Sequence, residues 1–278
     1  MTAFSTLNAL PAELLANLDE LGYHSMTPVQ AAALPAILEG KDVRVQAQTG
    51  SGKTAAFGLG LLQHIDASQF VTQSLVLCPT RELADQVAKE LRRLARYLPN
   101  IKILTLCGGV PFGAQRDSLQ HAPHIIVATP GRLLDHLEKA TVSLDALKTL
   151  VLDEADRMLD MGFSDAIDAI LRHAPERRQT LLFSATWPAA IAAISTRFQR
   201  EPQTIEIGAV DALPAVEQHF YEVSRREKIP LLLSLLSKHQ PASCVVFCNT
   251  KKDCQEVCDA LNERNQSALA LQDRKSVV

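Results

Sequence analysis

Lys53 and Thr54 close an octapeptide, Ala47-Gln48-Thr49-Gly50-Ser51-Gly52-Lys53-Thr54, whose residue types suit a polyphosphate. Gly50 and Gly52 allow a tight turn in which successive N–H groups point at one anion. Lys53 brings a compact positive charge to the outer phosphates, and the Thr54 hydroxyl can ligate Mg²⁺. The loop follows a short apolar run and opens a helical pattern, so a helix N-terminus with roughly half a positive charge faces the same point. The general pattern begins with Gly where this chain has Ala47. A loop that merely caps a helix leaves the Gly-Lys-Thr ending without a reason.

A second chemical pair, Asp153-Glu154, directly follows the apolar run Leu150-Val151-Leu152. An acidic residue at the end of a buried strand opposite a phosphate loop can hold Mg²⁺, usually through water. Glu154, beside it, is placed to polarise an attacking water. Read alone, the pair is as well explained as the cap of the following helix. Other motifs repeat the placement. Pro79-Thr80-Arg81, Gly108-Gly109, Thr129-Pro130-Gly131-Arg132 and Ser184-Ala185-Thr186 each follow a short apolar run. Thr129 and Pro130 read as an N-cap and a first helical residue, which leaves N–H groups free for an anion beside Arg132. Singly, each of these motifs is an ordinary helix cap or turn; together they suit a chain of phosphates.

Strands are predicted near Asp42–Gln46, Ser74–Cys78, Lys102–Leu106, His124–Ala128, Thr149–Leu152, Thr180–Phe183 and Thr204–Ile207, and helices over Arg81–Tyr97, Arg132–Lys139 and Ser164–His173. Continuous apolar strands alternating with helices imply a parallel sheet covered on both faces, a doubly wound α/β domain. Its strand carboxyl ends form one rim, where ligands of such sheets bind. Residues 208–214 contain Gly, Asp and Pro and read as a linker. A second α/β pattern follows, with strands over Gln218–Val223 and Cys244–Cys248 and helices over Glu227–His239 and Lys252–Glu263.

The 278 residues suit about two domains. Hydrophobic residues make up 47% and charged residues 21%, an ordinary globular composition. The net charge of −3 announces no nucleic-acid binder, so such binding must rest on local patches. Apolar runs such as Leu231–Leu236 are too short to span a membrane. No secretory pattern opens the sequence, so a cytoplasmic protein is expected. Among six cysteines, Cys244, Cys248, Cys254 and Cys258 form two C-x3-C pairs. A strand separates Cys244 from Cys248 by about 13 Å, too far for one zinc ion with bonds near 2.3 Å. Small buried hydrophobes are the better reading, and no structural zinc is expected. His121 and His124 read as structural too.

These motifs together resemble those of the DEAD-box ATP-dependent RNA helicases, named for the residues at Asp153–Asp156. Thr27-Pro28-Val29-Gln30, preceded by Gly22-Tyr23, is similar to the family's Q motif. The resemblance implies a RecA-like P-loop domain that uses ATP and Mg²⁺ and acts on RNA. It implies that Gln30 hydrogen-bonds the adenine edge, that Tyr23 stacks on the ring and that Phe4 is the upstream aromatic. It places Pro79, Thr80, Arg81, Gly108, Gly109, Thr129, Pro130, Gly131 and Arg132 on the RNA backbone. Ser184 and Thr186 would couple the nucleotide and RNA sites through Asp156. The nearest bacterial members serve in ribosome assembly, so ribosomal RNA is the expected partner of a monomer.

The implied division is a Q-motif region over residues 1–33, an ATP-binding RecA-like domain over 34–207, and an incomplete second RecA-like α/β domain over 215–278. The resemblance runs from Phe4 to Asn265. Cys244–Asn249 resembles motif IV, and nothing resembles motifs V and VI, whose arginines face the γ-phosphate. The expectation is a truncated or frame-shifted chain, or an excised fragment, that binds ATP but turns it over slowly. Such arginines are typically worth about 10³–10⁵ in rate. An ATP-switched RNA clamp without unwinding is the alternative.

Overall fold

The computed structural model describes residues 2–7, 9–207 and 217–271. The expected linker at 208–214 lies outside them. Packing divides the chain into Met1–Asp211 and Ala212–Val278.

The first unit runs α1 (Ala12–Glu20), α2 (Pro28–Leu38), β1 (Val43–Gln46), α3 (Lys53–His64), β2 (Ser74–Leu77), α4 (Arg81–Leu94), β3 (Ile103–Leu106) and α5 (Phe112–Ser118). It continues through β4 (Ile125–Ala128), α6 (Pro130–Glu138), β5 (Thr149–Leu152), α7 (Ala155–Asp160), α8 (Ser164–His173), β6 (Gln179–Ser184), α9 (Ala189–Phe198) and β7 (Gln203–Glu206). The seven strands form one parallel sheet in the order β3-β4-β2-β5-β6-β1-β7. Every residue of β2, β4, β5 and β6 is buried. That matches the unbroken apolar runs in the sequence, because helices cover both faces of these strands. The edge strands β3 and β7 are only partly buried.

Alternation along each strand supplies two cores. Val45, Val76, Val127, Val151 and Phe183 face one side, where Leu18, Ile37, Phe57 and Leu91 of α1–α4 cover them. Leu77, Leu150, Leu152 and Leu182 face the other, against Leu133, Met158, Ile170 and Ile191 of α6–α9. The aromatic rings of Phe57 and Phe183 lie 5.4 Å apart between centroids, which fixes the phosphate-loop helix α3 to β6.

Two helix boundaries differ from expectation. The α-helix from Arg81 ends at Leu94 and tightens into a 3₁₀ turn over Ala95–Tyr97, as helix ends often do. Helix α6 runs from Pro130 to Glu138 rather than over Arg132–Lys139, and its start is the one that the Thr129-Pro130 cap reading gave.

In the second unit, α10 (Lys228–His239) and α11 (Lys251–Glu263) form where expected. Thr250 caps α11, its hydroxyl accepting from Asp253 N at 3.0 Å. The strands expected at Gln218–Val223 and Cys244–Cys248 do not form. A strand exists only through pairing, and among the described residues neither segment has a ladder partner. Phe220 and Phe247 accordingly stay about nine-tenths exposed, at 90% and 93%. For the same reason Cys244 is exposed, and Cys248, Cys254 and Cys258 are half-buried rather than core residues. Among the described residues, no helix is long and apolar enough to cross a membrane.

Candidate functional site

The phosphate loop starts where β1 stops. Ala47 N donates to Ser184 O at 3.0 Å, extending the pairing with β6 by one residue. The chain then turns through Gly50 at φ +83° and Gly52 at φ +93°. Both angles lie in the left-handed region, which explains glycine at these two positions. Within the turn, Ser51 Oγ donates to Gln48 O at 2.8 Å. Gly52 is the N-cap of α3 and brings no capping side chain, so nothing of its own covers the helix N-terminus.

Lys53 and Asp153 meet beneath this turn. Both side chains are buried, and their Nζ and Oδ1 atoms stand 3.9 Å apart. That is ion-pair reach but too long for a hydrogen bond, and neither atom has a hydrogen-bond partner. Burial pushes the Asp153 carboxyl up to about 6, against the attraction of Lys53 and with the help of neighbouring Glu154. A buried ammonium and carboxylate oxygen without hydrogen bonds are costly to keep. They fit a phosphate oxygen at Lys53 and a hydrated cation at Asp153. Among the described residues, no cluster of three His, Cys, Asp or Glu side chains could hold a metal. Mg²⁺ here would be shared among Asp153, Thr54, water and phosphate, the usual mode for this ion.

Glu154 adopts φ +52°, ψ +53°, a left-handed conformation rare outside glycine. Its Oε1 accepts from the Thr49 hydroxyl at 2.9 Å, and Arg157 Nη1 donates to its Oε2 at 3.3 Å. The strained backbone holds the carboxylate against the phosphate loop, where Thr49 reaches it.

Strand β6 lies between β1 and β5, so its end sits between the loop and the acidic pair. Thr186 donates to Asp156 Oδ2 through both its N–H and its hydroxyl, each at 2.8 Å. Ser184 Oγ accepts from Asp156 N at 3.3 Å. Burial alone would raise the Asp156 carboxyl, but the Thr186 hydrogen bonds hold it below its usual range. Asp156, Ser184 and Thr186 are thus one hydrogen-bonded unit.

At the N-terminal side, Thr27 and Gln30 form a capping box at the start of α2. The remaining amide capacity of Gln30 reaches the phosphate loop, its Nε2 donating to Gly52 O at 3.1 Å. Tyr23 OH donates to Glu90 Oε1 on α4. Burial and that carboxylate raise the phenol to about 12. Phe4 is buried and meets Tyr23 edge to face, with centroids 6.3 Å apart.

The motifs on β2, β3 and β4 gather along the other half of the rim. Pro79 leads into Thr80, whose hydroxyl caps α4 by accepting from Leu83 N at 3.2 Å. Arg81 is exposed beside Glu82. The Gly108-Gly109 turn is open, with Gly109 at φ +87°. Thr129 precedes α6 without a side-chain cap, so the N–H groups near Pro130 and Gly131 stay uncapped by it. Arg132 Nη1 donates to Val110 O and to Gln115 Oε1, both at 2.7 Å.

Two participants escaped the sequence reading. Glu90 and Gln115 are spaced like ordinary helix residues and carry no local signal. The Thr27-x-x-Gln30 spacing is a capping-box signature and was available.

A phosphate-loop α/β sheet, an Asp-Glu pair facing the loop and a Q-type capping box define a helicase-type nucleotide site, and the comparisons agree. The pattern of the DEAD/DEAH box helicase family matches residues 27–194, and the chain belongs to that family. It is 80% identical over 271 residues to the ATP-dependent RNA helicase DbpA of Escherichia coli strain K12, covering 98% of this chain and 59% of that protein. It is 45% identical over 269 residues to the DEAD-box ATP-dependent RNA helicase CshA of Bacillus cereus, covering 96% of this chain and 51% of that one. The crystal structure of a DEAD box protein from the hyperthermophile Methanococcus jannaschii superposes with a TM-score of 0.71 at 34% identity, covering 99% of this chain and 74% of that one. The chain thus spans little more than half the length of these curated relatives.

Proposed function

We propose that this chain binds ATP with Mg²⁺ at the loop of residues 47–54 and RNA along Pro79–Arg81, Gly108-Gly109 and Thr129–Arg132, and that it hydrolyses ATP in response to RNA. In a longer chain this activity would serve local duplex unwinding. Residues 34–207 then act as the ATP-binding RecA-like domain, 1–33 as its adenine-side flap, and 215–278 as part of a second such domain. Ribosomal RNA is the finer proposal, supported by the resemblance to bacterial members of the family.

The observation that carries the reading is the buried, unsatisfied pair Lys53 Nζ and Asp153 Oδ1. A nucleotide's phosphate and its cation would satisfy both atoms at once. Mg²⁺, when bound, would neutralise charge on the phosphates and orient the γ-phosphoryl group. The chain's own groups do the rest. Lys53 holds the outer phosphates as a buried point charge. Gly50 and Gly52 bring backbone N–H groups to the same oxygens. Glu154 aligns a water and takes its proton at a carboxylate oxygen, once Oε1 is released by Thr49. Such a base is worth roughly 10²–10⁴ in rate. Asp156 reports the state of this site to Thr186 and the end of β6.

Contacts made through RNA phosphates position the strand without reading its sequence. Net charge is no objection, because the proposed anion contacts are local: backbone N–H groups, helix N-termini and single cations such as Lys53.

Equilibrium titration with a fluorescent ADP, with Mg²⁺ and with EDTA, tests the reading. Binding should require Lys53 and strengthen with Mg²⁺. A parent chain that is folded and takes up no adenine nucleotide with the metal present refutes it. Release of inorganic phosphate on adding RNA then tests the hydrolytic half, and strand displacement separates a helicase from an ATP-switched clamp.

A further inference from the structure

Gln115 has no place in the reading above, yet it is only 4% exposed and stands at the centre of the RNA half of the rim. Its Nε2 donates to Cys107 O at 2.9 Å. Its Oε1 accepts from Arg132 Nη1 at 2.7 Å and lies 3.1 Å from His136 Nε2. The same Arg132 nitrogen donates to Val110 O at 2.7 Å. One carboxamide therefore grips the residue before the Gly108-Gly109 pair directly, and the residue after it through Arg132. It also ties that turn to α6, which carries Thr129–Arg132.

The turn stands in open space at Gly108. A Cβ added at Gly108 would meet no atom within 4 Å. The anchor, by contrast, is rigid. His136 is fully buried, stacks on Phe112 with centroids 4.2 Å apart at 14°, and has its Nδ1 2.7 Å from Thr141 Oγ1. Burial, and then the nearby Arg132 cation, hold the imidazole below its usual pKa. At neutral pH the ring is uncharged, and a proton on Nε2 suits Gln115 Oε1, the Thr141 hydroxyl then donating to Nδ1 in place of His136 O.

We infer that Gln115 is a positioning residue for RNA, holding the Gly108-Gly109 turn and the first turn of α6 in the single arrangement that presents both to adjoining backbone phosphates. It touches no RNA itself. The inference rests on the RNA reading of this rim, and the experiment separates the two.

The alternative is a buried glutamine that only satisfies neighbouring polar groups. Stability and positioning rank two substitutions in opposite order. Gln115→Met keeps the length and burial but loses every hydrogen bond. Gln115→Glu keeps both acceptor contacts, to Arg132 and His136, and loses only the donation to Cys107 O. For a purely structural role Glu is the worse change, since it buries a carboxylate against a carbonyl. For positioning Met is worse, since it frees Arg132 and Val110.

The test measures the affinity of the full chain for a fluorescein-labelled oligo(U), its affinity for Mg²⁺–ADP, and its melting temperature. Gln115→Met should weaken RNA binding roughly tenfold, the usual worth of a lost hydrogen bond to a charged group, and leave Mg²⁺–ADP affinity within about twofold. Gln115→Glu should bind RNA more tightly than Gln115→Met even where it melts lower. RNA affinity unchanged in the folded Met variant overturns the inference, as does a Glu variant that binds RNA more weakly than Met. If Gln115→Met does not fold, Gln115→Glu decides alone: RNA affinity within about threefold of the parent supports the inference, and a loss of tenfold or more overturns it. A parent chain that binds nucleotide but no RNA removes the RNA reading itself.

Discussion

Substituting Gly52 by alanine tests how the phosphate loop is held. At Gly52 the backbone has φ +93° and ψ +16°. A left-handed conformation costs a residue with a Cβ about 1–2 kcal/mol. The new Cβ would also stand 2.6 Å from Gln30 Nε2, and 3.0 and 3.2 Å from Thr27 Oγ1 and Cγ2. Gln30 must then release Gly52 O, which forfeits a hydrogen bond worth about 0.5–1.5 kcal/mol. The sum is about 1.5–3.5 kcal/mol. Gly50 provides the control. It has φ +83° and open space around it, so Gly50→Ala meets the backbone strain alone. For a domain of this size, each kcal/mol lowers the melting temperature by about 2–4 °C, so Gly52→Ala should melt roughly 3–14 °C below the parent. It should also bind Mg²⁺–ADP more weakly than Gly50→Ala, because relaxing φ turns loop N–H groups away from the phosphate. In a Gln30→Ala background the excess penalty at position 52 should shrink to what the Thr27 contacts leave. Thermal unfolding and nucleotide titration of the six proteins close the cycle. If Gly52→Ala costs no more than Gly50→Ala, or the excess survives removal of Gln30 undiminished, the proposed grip between Gln30 and the loop is wrong.

Three further outcomes are expected. Glu154→Gln should retain nucleotide binding and lose about a hundredfold or more of RNA-stimulated hydrolysis; unchanged phosphate release would remove Glu154 from its role. Thr186→Val deletes the hydroxyl donation to Asp156 and should cost about 1–2 kcal/mol at neutral pH. Asp156 has a depressed carboxyl, so this stabilisation is present above its unfolded pKa and is lost as pH falls through the lower folded value. The gap between parent and variant should stay constant from about pH 5 to 8 and close below about pH 4; a gap that widens in acid contradicts the assignment. Gly60→Ala places a Cβ 2.1 Å from Ile37 Cγ2, between α3 and α2. Overpacking of about 1–3 kcal/mol outweighs the gain of about 1 kcal/mol in helix propensity, so denaturant unfolding should show a loss that shrinks when Ile37 is also made alanine.

The sheet was legible because its signal is local. Each interior strand is a short Val, Ile and Leu run bounded by turn residues, and the observed strands lie within a residue of the expected bounds. The phosphate loop, the acidic pair and Thr27–Gln30 were legible for the same reason: each chemical unit is contiguous, and the parallel topology brings their ends to one rim. What stayed hidden are the ties between distant segments. Thr49 and Glu154 are separated by 105 positions and Tyr23 and Glu90 by 67, and no spacing rule links them. The failures in the second unit have a different cause. Helices α10 and α11 satisfy their own backbone groups, so propensity and capping suffice to foresee them. The segments at 218–223 and 244–248 carry strand-like composition, but a strand draws its hydrogen bonds from a neighbour, which composition cannot supply.

These distant ties give the site its energetic logic. The loop is fastened to Gln30 through Gly52 O, to β6 through Ala47 N, and to Glu154 through Thr49. The first two fastenings position the loop for phosphate and need not change in the reaction. In the proposed hydrolysis the third engages the oxygen that would take a proton from water, so it would have to yield. A hydrogen bond to a charged group is worth about 1.5–3 kcal/mol, and moving Thr49 off Glu154 leaves the left-handed backbone of Glu154 as it is, so that loss has to be met by a new acceptor for the hydroxyl, which a nucleotide phosphate would offer. On the proposed reading, Thr49 occupies Glu154 without nucleotide and frees it when a nucleotide binds.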